Sequence, residues 1–458
     1  MSVDEHFSLT TRIARPAAEV FAWHERPGAL ARLCPPWERI EIVSSVGGVR
    51  EGARVTVRNK FGPCWIEWRV EHRDYEAGRQ FRDVQLSGPF ARWEHLHRIV
   101  PDGAGACWLT DDIGYRLPGG RLGRIAAGAL VRRKLEKLFA WRHEITKHDL
   151  ESSAATFSEP RHVIIAGASG LLGRSLAPFL ETQGHRVSRL VRRPARSAEE
   201  VSWNPARGEL DAGALEGVDA IINLSGENVG GGRWTNVRRE AIFKSRVDAT
   251  RTLVDAMKRM LRKPEVLVSA SAVGIYGDRG DESLTERSEL GAGFLPDVCR
   301  AWESEAARAR EIGVRTVILR LGVVLTPAGG VLAKLLPVFK AGLGGLLGGG
   351  HQWMSWIAID DAVNAIHQAI MASSWDGSWN VVSPEPVTNR EFTLALALVL
   401  RRPARLAVPA WTLRALLGEM ADGTILASGR VYPERLKAAG FDFRQSSLDA
   451  ALRNVLGR

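Results

Sequence analysis

The sequence predicts an α/β protein in which a doubly wound parallel sheet carries a small C-terminal domain and follows a separate α+β domain. The chain has 458 residues, and ordinary domains hold about 100–200, so more than one core is expected. The stretch LESSAATFSEP is small, polar and ends in proline, as linkers do. Apolar and polar residues alternate before it, and apolar strands alternate with amphipathic helices after it. We therefore predict a first domain at 1–150, a linker at 151–160, a main domain at 161–390 and a C-terminal domain at 391–458.

Composition excludes several classes of protein. Hydrophobic residues make up 45% and charged residues 25%, a balance typical of chains that bury sizeable cores. The start, MSVDEHFSL, is acidic where a secretory signal is basic, and no apolar run approaches the ~20 residues that span a bilayer. We expect a cytoplasmic protein with no membrane span. The net charge of +10 comes from arginines spread along the chain, so no nucleic-acid partner is expected.

The front domain is predicted to be an antiparallel sheet closed by one helix. In CWIEWRV, residues Cys64, Ile66, Trp68 and Val70 face one way and the residues between them face the other, as in a half-buried strand. Near the end of the domain, LVRRKLEKLFAWRHEI repeats apolar residues at helical spacing. These residues are Val131, Leu135, Leu138, Phe139 and Ile145. We expect this helix to lie across the sheet.

The opening FSLTTRIARPAAEVFAWHERPGALARLCPPW resembles the first strand and helices of the START-like or SRPBCC superfamily, over about residues 5–150. The resemblance implies a helix-grip fold, in which a curved sheet holds a long C-terminal helix. In that family the space between sheet and helix often holds an apolar ligand, which would suit the tryptophans here. The alternative is that the tryptophans fill the core. They are Trp23, Trp37, Trp65, Trp68 and Trp93.

Histidines and cysteines raise the question of a metal site. His95 and His97 are two residues apart on a predicted strand, hence on one face, where they could bind a metal ion. Because no third ligand is evident, we interpret both as surface histidines and predict no metal site. The cysteines are widely separated without a CxxC pair, which favours reduced structural thiols. They are Cys34, Cys64, Cys107 and Cys299.

The strongest motif lies in residues 161–193, RHVIIAGASGLLGRSLAPFLETQGHRVSRLVRR. An apolar strand, a glycine turn, a helix and a second strand follow one another, which predicts one β-α-β unit of a dinucleotide-binding domain. In this motif Gly167 allows the tight turn, Gly170 lets the backbone approach a pyrophosphate, and Gly173 permits close packing of helix on strand. Ser169 can add a hydroxyl donor. Leu171 and Leu172 begin the helix whose N-terminus faces the phosphates.

The end of the second strand indicates which nucleotide binds. An NAD site normally places Asp or Glu there to bind the ribose 2′-hydroxyl. This chain has Val191 at that position, followed by Arg192 and Arg193. Two guanidinium groups suit a 2′-phosphate because each offers a planar fork of donors with a fixed charge. We therefore predict NADP(H) as the cofactor.

Two further strand ends should line the same cofactor. VDAIINLSGE supplies a buried strand that leads into a turn at Leu224, Ser225 and Gly226. PEVLVSASAVGIYG supplies the next strand, and GVRTVILRLGVVL a later one. We expect the end of that last strand, up to Val324, to reach the nicotinamide side.

Residues 161–455 resemble the epimerase-like family of atypical extended short-chain dehydrogenase/reductases, sometimes labelled cell-division-inhibitor-like. The ordered motifs are GASGLLGR, INLSGENV, RWT, SRVDATRTLV, SASAVGIYG, FLPDVCRAWESEA, LRLGVVL, GLGGLLGGGHQWMSWIAIDD and VTNREF. The resemblance implies a Rossmann domain that binds NADP, with a smaller part at about 390–455. It also implies that Arg246, where other members carry Asn, reaches the cofactor. Trp353, Trp356 and the flexible glycine-rich segment GLGGLLGGG would border the substrate cleft.

The catalytic residues of the superfamily are only partly present. Its ordinary members use Ser, Tyr and Lys, with YxxxK on one helix, so that Lys lowers the pKa of the phenol. Ser271 stands at the serine position, but the helix LPDVCRAWESEA has neither Tyr nor Lys. Tyr276 is the nearest substitute acid, although a structural role suits it better. Glu303 and Glu305 could offer a carboxylate, and we interpret them as solvated helix residues.

Two functions of different class stay open. The first is an NADP(H)-dependent oxidoreductase or epimerase acting on a small carbonyl or sugar-like substrate, with Ser271 orienting the reacting oxygen. The second is a cofactor-binding regulator without turnover, related to cell division, with an apolar ligand in its front domain. A third joins both, with the front domain presenting an apolar molecule to the reductase.

Overall fold

The computed structural model describes residues 4–152 and 159–458, which form two compact units, one built mainly from each range. Most of the predicted linker, residues 153–158, lies outside the described residues. In the described ranges no helix is long and apolar enough to cross a bilayer.

The first unit is a seven-stranded antiparallel sheet with one long helix. Its strand order is β1-β7-β6-β5-β4-β3-β2. The strands are β1 (Glu5–Ile13), β2 (Ile40–Val46), β3 (Arg54–Phe61), β4 (Cys64–Glu76), β5 (Gln80–Ser87), β6 (Arg92–Pro101) and β7 (Cys107–Arg116). The helices are α1 (Ala17–Glu25), α2 (Ala29–Arg32) and α3 (Gly120–Glu151). This is the predicted helix-grip arrangement, and α3 begins ten residues before the periodic stretch that predicted it.

The predicted helix face and the tryptophans form much of the first unit's core. Leu135, Phe139 and Ile145 of α3 are buried, as its apolar spacing predicts. Trp23 of α1 is fully buried and packs in one cluster with residues of the sheet. Trp65, in contrast, is 44% exposed on the outer face. The domain is therefore held by aromatic packing between the sheet and its helices.

The second unit contains a seven-stranded parallel sheet in the order β10-β9-β8-β11-β12-β14-β18. The sequence order reverses beside β8, which creates the switch point where doubly wound sheets bind ligands. Its strands are β8 (His162–Ala166), β9 (Arg186–Val191), β10 (Glu200–Ser202), β11 (Ala220–Asn223), β12 (Val266–Ala272), β14 (Arg315–Leu321) and β18 (Gly377–Val381). Buried apolar residues on both faces, such as the chain neighbours Ile164 and Ile165 of β8 and Ile221 and Ile222 of β11, explain why these strands are continuous apolar runs.

Helices and small sheets complete the second unit. The pairs β13/β20 and β15/β17 are parallel, and β16/β19 is antiparallel. These strands are β13 (Ser283–Leu284), β15 (Val323–Leu325), β16 (Trp353–Met354), β17 (Trp356–Ala358), β19 (Val387–Thr388) and β20 (Arg430–Val431). The helices are α4 (Leu171–Thr182), α5 (Asn236–Arg259), α6 (Phe294–Ala307), α7 (Gly330–Lys340), α8 (Ile359–Met371), α9 (Asn389–Leu400), α10 (Ala410–Leu417), α11 (Glu434–Ala438) and α12 (Leu448–Leu456).

Candidate functional site

The turn between β8 and α4 has the geometry that its glycines predict. Gly167 has φ +83°, and a Cβ there would lie 2.7 Å from the carbonyl carbon of Leu224. A Cβ on Gly173 would lie 2.5 Å from the carbonyl oxygen of Gly167 and 2.6 Å from Cα of Ala168. A Cβ on Gly170 would lie 3.1 Å from that same oxygen. Since side chains would be in steric conflict here, the tight turn and the close helix packing both require glycine.

The start of α4 is open to a ligand. Ser169 and Gly170 are exposed, and Leu171 and Leu172 are half-buried behind them. The Ser169 hydroxyl has no hydrogen-bond partner within the described ranges. A helix N-terminus with exposed backbone N–H groups attracts anions, because its unpaired donors and its dipole both favour negative charge.

The turn after β11 lies against the first one. The N–H of Leu224 donates to the carbonyl of Ala166 at 2.9 Å. Ser225 N–H donates to the side chain of Asn223, which in turn donates to Thr250. Sequence reasoning missed Asn223, although a polar residue at the end of an apolar strand was a usable signal. It fixes the conformation of this turn.

Arg246 on α5 reaches this turn. A Cβ on Gly226 would lie 3.0 Å from Cζ of Arg246, so the guanidinium lies directly against the glycine. The guanidinium donates to the carbonyl of Ile242 and lies 5.2 Å above the ring of Trp302. Burial lowers the pKa of Arg246. The structure therefore brings Arg246 beside the Ser225–Gly226 turn, as the predicted cofactor contact requires.

The two arginines after β9 differ in their surroundings. Arg193 binds Glu200 through two hydrogen bonds of 2.6 and 2.8 Å, because β10 runs alongside β9 and brings this carboxylate close. This contact lowers the pKa of Glu200 to about 2. Arg192 is exposed, and its side chain has no partner among the described residues. Of these two arginines, only Arg192 has a side chain without a partner in the described part of the chain. Val191 is the last residue of β9.

Ser271 belongs to a buried charged network at the ends of β12 and β14. Its hydroxyl donates to Oε1 of Glu303 at 2.6 Å. Arg320, the register partner of Ser271 on β14, binds both carboxylate oxygens of Glu303 at 2.9 and 2.8 Å. Although burial opposes the charge, these bonds raise the pKa of Arg320. The expectation that Glu303 is solvated is wrong, because α6 turns this residue toward the sheet.

Tyr276 lies on the other side of the same arginine. It is fully buried, donates to Oδ1 of Asn380 at 2.8 Å and accepts from Arg320 at 3.0 Å. Burial raises the pKa of its hydroxyl. These contacts agree with a structural role for Tyr276, which holds Arg320 in place.

Several other expected site residues are packed into the protein. Glu305 is not solvated, because it pairs with Arg251 and Arg308. Trp356 is fully buried, so it does not border a cleft. The GLGGLLGGG segment packs closely against the chain at Leu406, because a Cβ on Gly345 would lie 1.0 Å from the carbonyl oxygen of that residue.

Val324 belongs to a different strand from the one expected. Val324 lies in β15, opposite Ile357 of β17, and not at the end of the main-sheet strand β14. Val324 is partly buried against the apolar cluster that contains Leu325 and Leu332, and Leu172 packs against the same cluster. Trp353 is half-buried and donates to Asp281 at 2.8 Å.

In the first unit, His95 and His97 are not surface residues. They are 2% and 8% exposed, because they lie on the inner face of β6 in phase with Trp93 and Ile99. Asp83 on the neighbouring β5 supplies the third ligand-type group that sequence reasoning lacked.

Three family matches cover most of the chain. Residues 163–381 match the NAD dependent epimerase/dehydratase family, and residues 408–455 match a domain of unknown function. Residues 4–141 match the family described as polyketide cyclase / dehydrase and lipid transport. Both resemblances found in the sequence are thereby confirmed.

Curated relatives and solved structures agree with these matches. An epimerase family protein of Mycobacterium bovis is 41% identical over 290 residues, which is 63% of this chain and 96% of the relative. An epimerase family protein of Bacillus subtilis is 35% identical over 64% of this chain and 98% of its own length. The chain thus has the fold and turn geometry of a nucleotide-binding dehydrogenase/reductase. It belongs to the epimerase family.

Two solved structures extend the comparison. The nucleoside-diphosphate sugar epimerase from Corynebacterium glutamicum is 32% identical with a TM-score of 0.81, covering 98% of this chain and 90% of that one. Human epimerase family protein SDR39U1, solved with NADPH, is 29% identical with a TM-score of 0.61, covering 64% of this chain and 99% of that one. The first of these therefore spans both parts of the chain.

Proposed function

We propose that the second unit binds NADP(H) and that the chain is a cytoplasmic oxidoreductase or epimerase acting on a small carbonyl or sugar-like substrate. The observation that carries this proposal is the turn between β8 and α4. Its backbone leaves no room for a side chain at Gly167 or Gly173, while Ser169 and Gly170 stay exposed. This turn fits a pyrophosphate held by backbone N–H groups at the positive end of α4. The family and the NADPH bound to the human relative support it.

The preference for NADP(H) over NAD(H) rests on the end of β9. Val191 stands where NAD sites carry a carboxylate, so no residue at that position would repel a 2′-phosphate. Arg192 is exposed and uncommitted, whereas Arg193 is held by Glu200. Arg192 is therefore the guanidinium that would bind the 2′-phosphate, and Arg246 would approach the cofactor beside Gly226.

For proton handling, we propose that Ser271 and Glu303 replace part of the missing tyrosine–lysine pair. Bound nicotinamide would supply hydride transfer. Ser271 would orient the reacting oxygen, and its Oγ proton can pass to the Glu303 carboxylate as Oγ takes a proton from a substrate hydroxyl. Two hydrogen bonds from Arg320 hold that carboxylate beside the serine hydroxyl. Reversing the steps returns the proton.

A second candidate function is NADP(H) binding without turnover, as in a regulator. Specific observations favour it: Ser271 is 2% exposed, Tyr276 is fully buried, and α6 offers neither Tyr nor Lys. In that case the charged network would serve only to join α6 to the sheet. An apolar ligand of the first unit, suggested by the lipid-transport description of its family, stays a prediction.

Isotope exchange separates the two functions. The full chain is incubated with C4-deuterated NADPH and a panel of carbonyls, and in a parallel reaction with NADP⁺ and a panel of nucleotide sugars, and the products are analysed by mass spectrometry and chromatography. An oxidoreductase transfers deuterium from NADPH to a carbonyl, whereas an epimerase takes hydride from a sugar onto NADP⁺ and returns it to give the epimeric sugar. Ser271→Ala and Glu303→Gln should each slow either reaction by about 100-fold. The matched control is Glu305→Gln, on the same helix, which should leave the rate unchanged. NADPH binding with neither reaction on any substrate would favour the regulator.

A further inference from the structure

The inner face of the first unit's sheet carries a row of polar side chains beneath α3. His72 on β4 lies opposite Asp83 on β5, which lies opposite His95 on β6. In the next row, His97 on β6 lies opposite Asp111 on β7. The histidines and Asp111 are at most 8% exposed. Opposite residues on one sheet face have Cβ atoms about 5 Å apart, so these groups form one cluster.

Asp111 fixes the orientation of three imidazole rings. One of its oxygens lies 2.9 Å from Nε2 of His95 and 2.7 Å from Nδ1 of His97. The other lies 2.8 Å from Nε2 of His143, which α3 contributes. An ionised carboxylate only accepts hydrogen bonds, so each of these nitrogens carries its proton. The second ring nitrogen of His95 and of His97 does not contact Asp111.

These second nitrogens both face Asp83. Oδ2 of Asp83 lies 3.7 Å from Nδ1 of His95 and 3.5 Å from Nε2 of His97. These distances exceed those of good hydrogen bonds. Two ring nitrogens and one carboxylate oxygen therefore surround one buried space, in which a positive charge, a proton or a metal ion, would be stabilised.

We propose that Asp83, His95 and His97 bind one divalent transition-metal ion. Zinc bonds of about 2.0–2.2 Å in a tetrahedral arrangement put ligand atoms about 3.4 Å apart, close to both distances from Asp83. The ligand atoms of all three residues lie within 4.8 Å of one another. Two imidazoles and one carboxylate suit Zn²⁺ or Fe²⁺ and leave at least one coordination position for water or a small ligand.

The surroundings match those of protein metal centres. Ligating histidines commonly donate their second N–H to a carboxylate, which fixes the ring, and Asp111 does this for both rings. His72 lies 2.9 Å from the other oxygen of Asp83 and can hold that carboxylate in the same way. Phe81 stacks on His97 at 4.3 Å, which keeps the site apolar around its ligands. The site belongs to the first unit, so it does not depend on the function proposed for the second.

The test measures Zn²⁺ binding to the full chain without an affinity tag, after dialysis against a chelator. Equilibrium dialysis with ZnCl₂ should give one ion per chain. Asp83→Asn and His97→Gln should each weaken binding by at least about tenfold, and so should Asp111→Asn as a positioning residue. The matched control is His6→Gln, which alters an exposed His–Asp pair on the same sheet, with Nε2 of His6 2.5 Å from Oδ1 of Asp112. It should bind as the wild type does.

A second measurement needs no variant and decides the matter where a variant fails to fold. Zinc X-ray absorption of the wild-type protein should detect two imidazoles and oxygen ligands at about 2.0–2.2 Å, with no sulfur. The proposal is overturned if the wild type binds no stoichiometric Zn²⁺, since protons would then neutralise the cluster. Sulfur ligands, or unchanged binding in folded Asp83→Asn and His97→Gln, would overturn it equally.

Discussion

Ser271 and Glu303 lie 32 residues apart in the chain, yet the serine hydroxyl donates to the glutamate at 2.6 Å. This contact joins α6 to the end of β12, and Arg320 of β14 completes it from the neighbouring strand. The buried charges are therefore paired across several elements, so the network joins these elements structurally and is also a candidate proton path.

Removing one member of this network should destabilise the second unit. The side chains of Glu303 and Arg320 are 12% and 7% exposed, so Glu303→Ala leaves a guanidinium buried without its partner. We expect the free energy of unfolding to fall by about 3 kcal/mol in urea denaturation. Asp449→Ala, which breaks an exposed pair with Arg453, is the control and should change little. Equal effects for the two variants would contradict the assignment.

The glycine turn should not tolerate even one methyl group. In Gly173→Ala the new Cβ would meet backbone atoms at 2.5–2.7 Å, so either the turn or α4 must shift. We expect a lower melting temperature and at least a tenfold loss of nucleotide affinity, since about 1.4 kcal/mol already corresponds to tenfold. Gly429→Ala is the control, because its Cβ would meet only one atom, at 4.0 Å. Wild-type affinity in Gly173→Ala would refute the packing argument.

The four cysteines should differ in reactivity. Burial raises the pKa of Cys34, Cys107 and Cys299 to about 11, so little thiolate forms at pH 8. Cys64 is exposed. Brief alkylation of the native protein followed by mass spectrometry should label Cys64 first, and alkylation in denaturant should label all four. Rapid native labelling of Cys299 would mean that α6 is not packed as described.

Acid should weaken the second unit through a buried histidine. Burial lowers the pKa of His367 to about 3, with His185 3.0 Å away as a further cause. In the unfolded chain its pKa is about 6.5, so the unfolded state takes up a proton first and stability falls as pH drops from about 6.5 toward 3. His367→Gln should show a shallower fall in urea midpoint over this range than wild type. His351→Gln, at an exposed position, is the control. Identical slopes in wild type and His367→Gln would contradict this prediction.

The features predicted best from the sequence are those that depend on residues close to one another along the chain. The β8 turn and the start of α4 follow from glycine spacing, because each glycine has a local steric reason. The antiparallel sheet and α3 follow from periods of two and about 3.6 residues. Such patterns identify elements and faces. The epimerase-like family was recognisable from ordered motifs, and the START-like family from its opening stretch together with the predicted sheet and helix.

Contacts that depend on strand register were not predictable in this way. Glu303 was assigned to solvent because helical spacing indicates which face of a helix points inward. It does not indicate which side chains of other strands lie against that face. His95 and His97 occupy every second position of β6 together with Trp93 and Ile99, so all four side chains lie on one face of the strand. The two apolar residues on that face were a signal in the sequence that the histidines are buried. Asp83 could not be connected to them, because the pairing of β5 with β6 sets that contact.

The central claim is that the turn after β8 binds NADP(H) with Arg192 on its 2′-phosphate. Calorimetric titration with NADPH and NADH tests it most directly, on the wild type, Arg192→Ala and the control Arg193→Ala, whose guanidinium is held by Glu200. We predict that the wild type prefers NADPH, that Arg192→Ala loses at least about tenfold in NADPH affinity without weakening NADH, and that Arg193→Ala changes less. Binding of neither nucleotide, or equal affinities that Arg192→Ala leaves unchanged, would contradict the account.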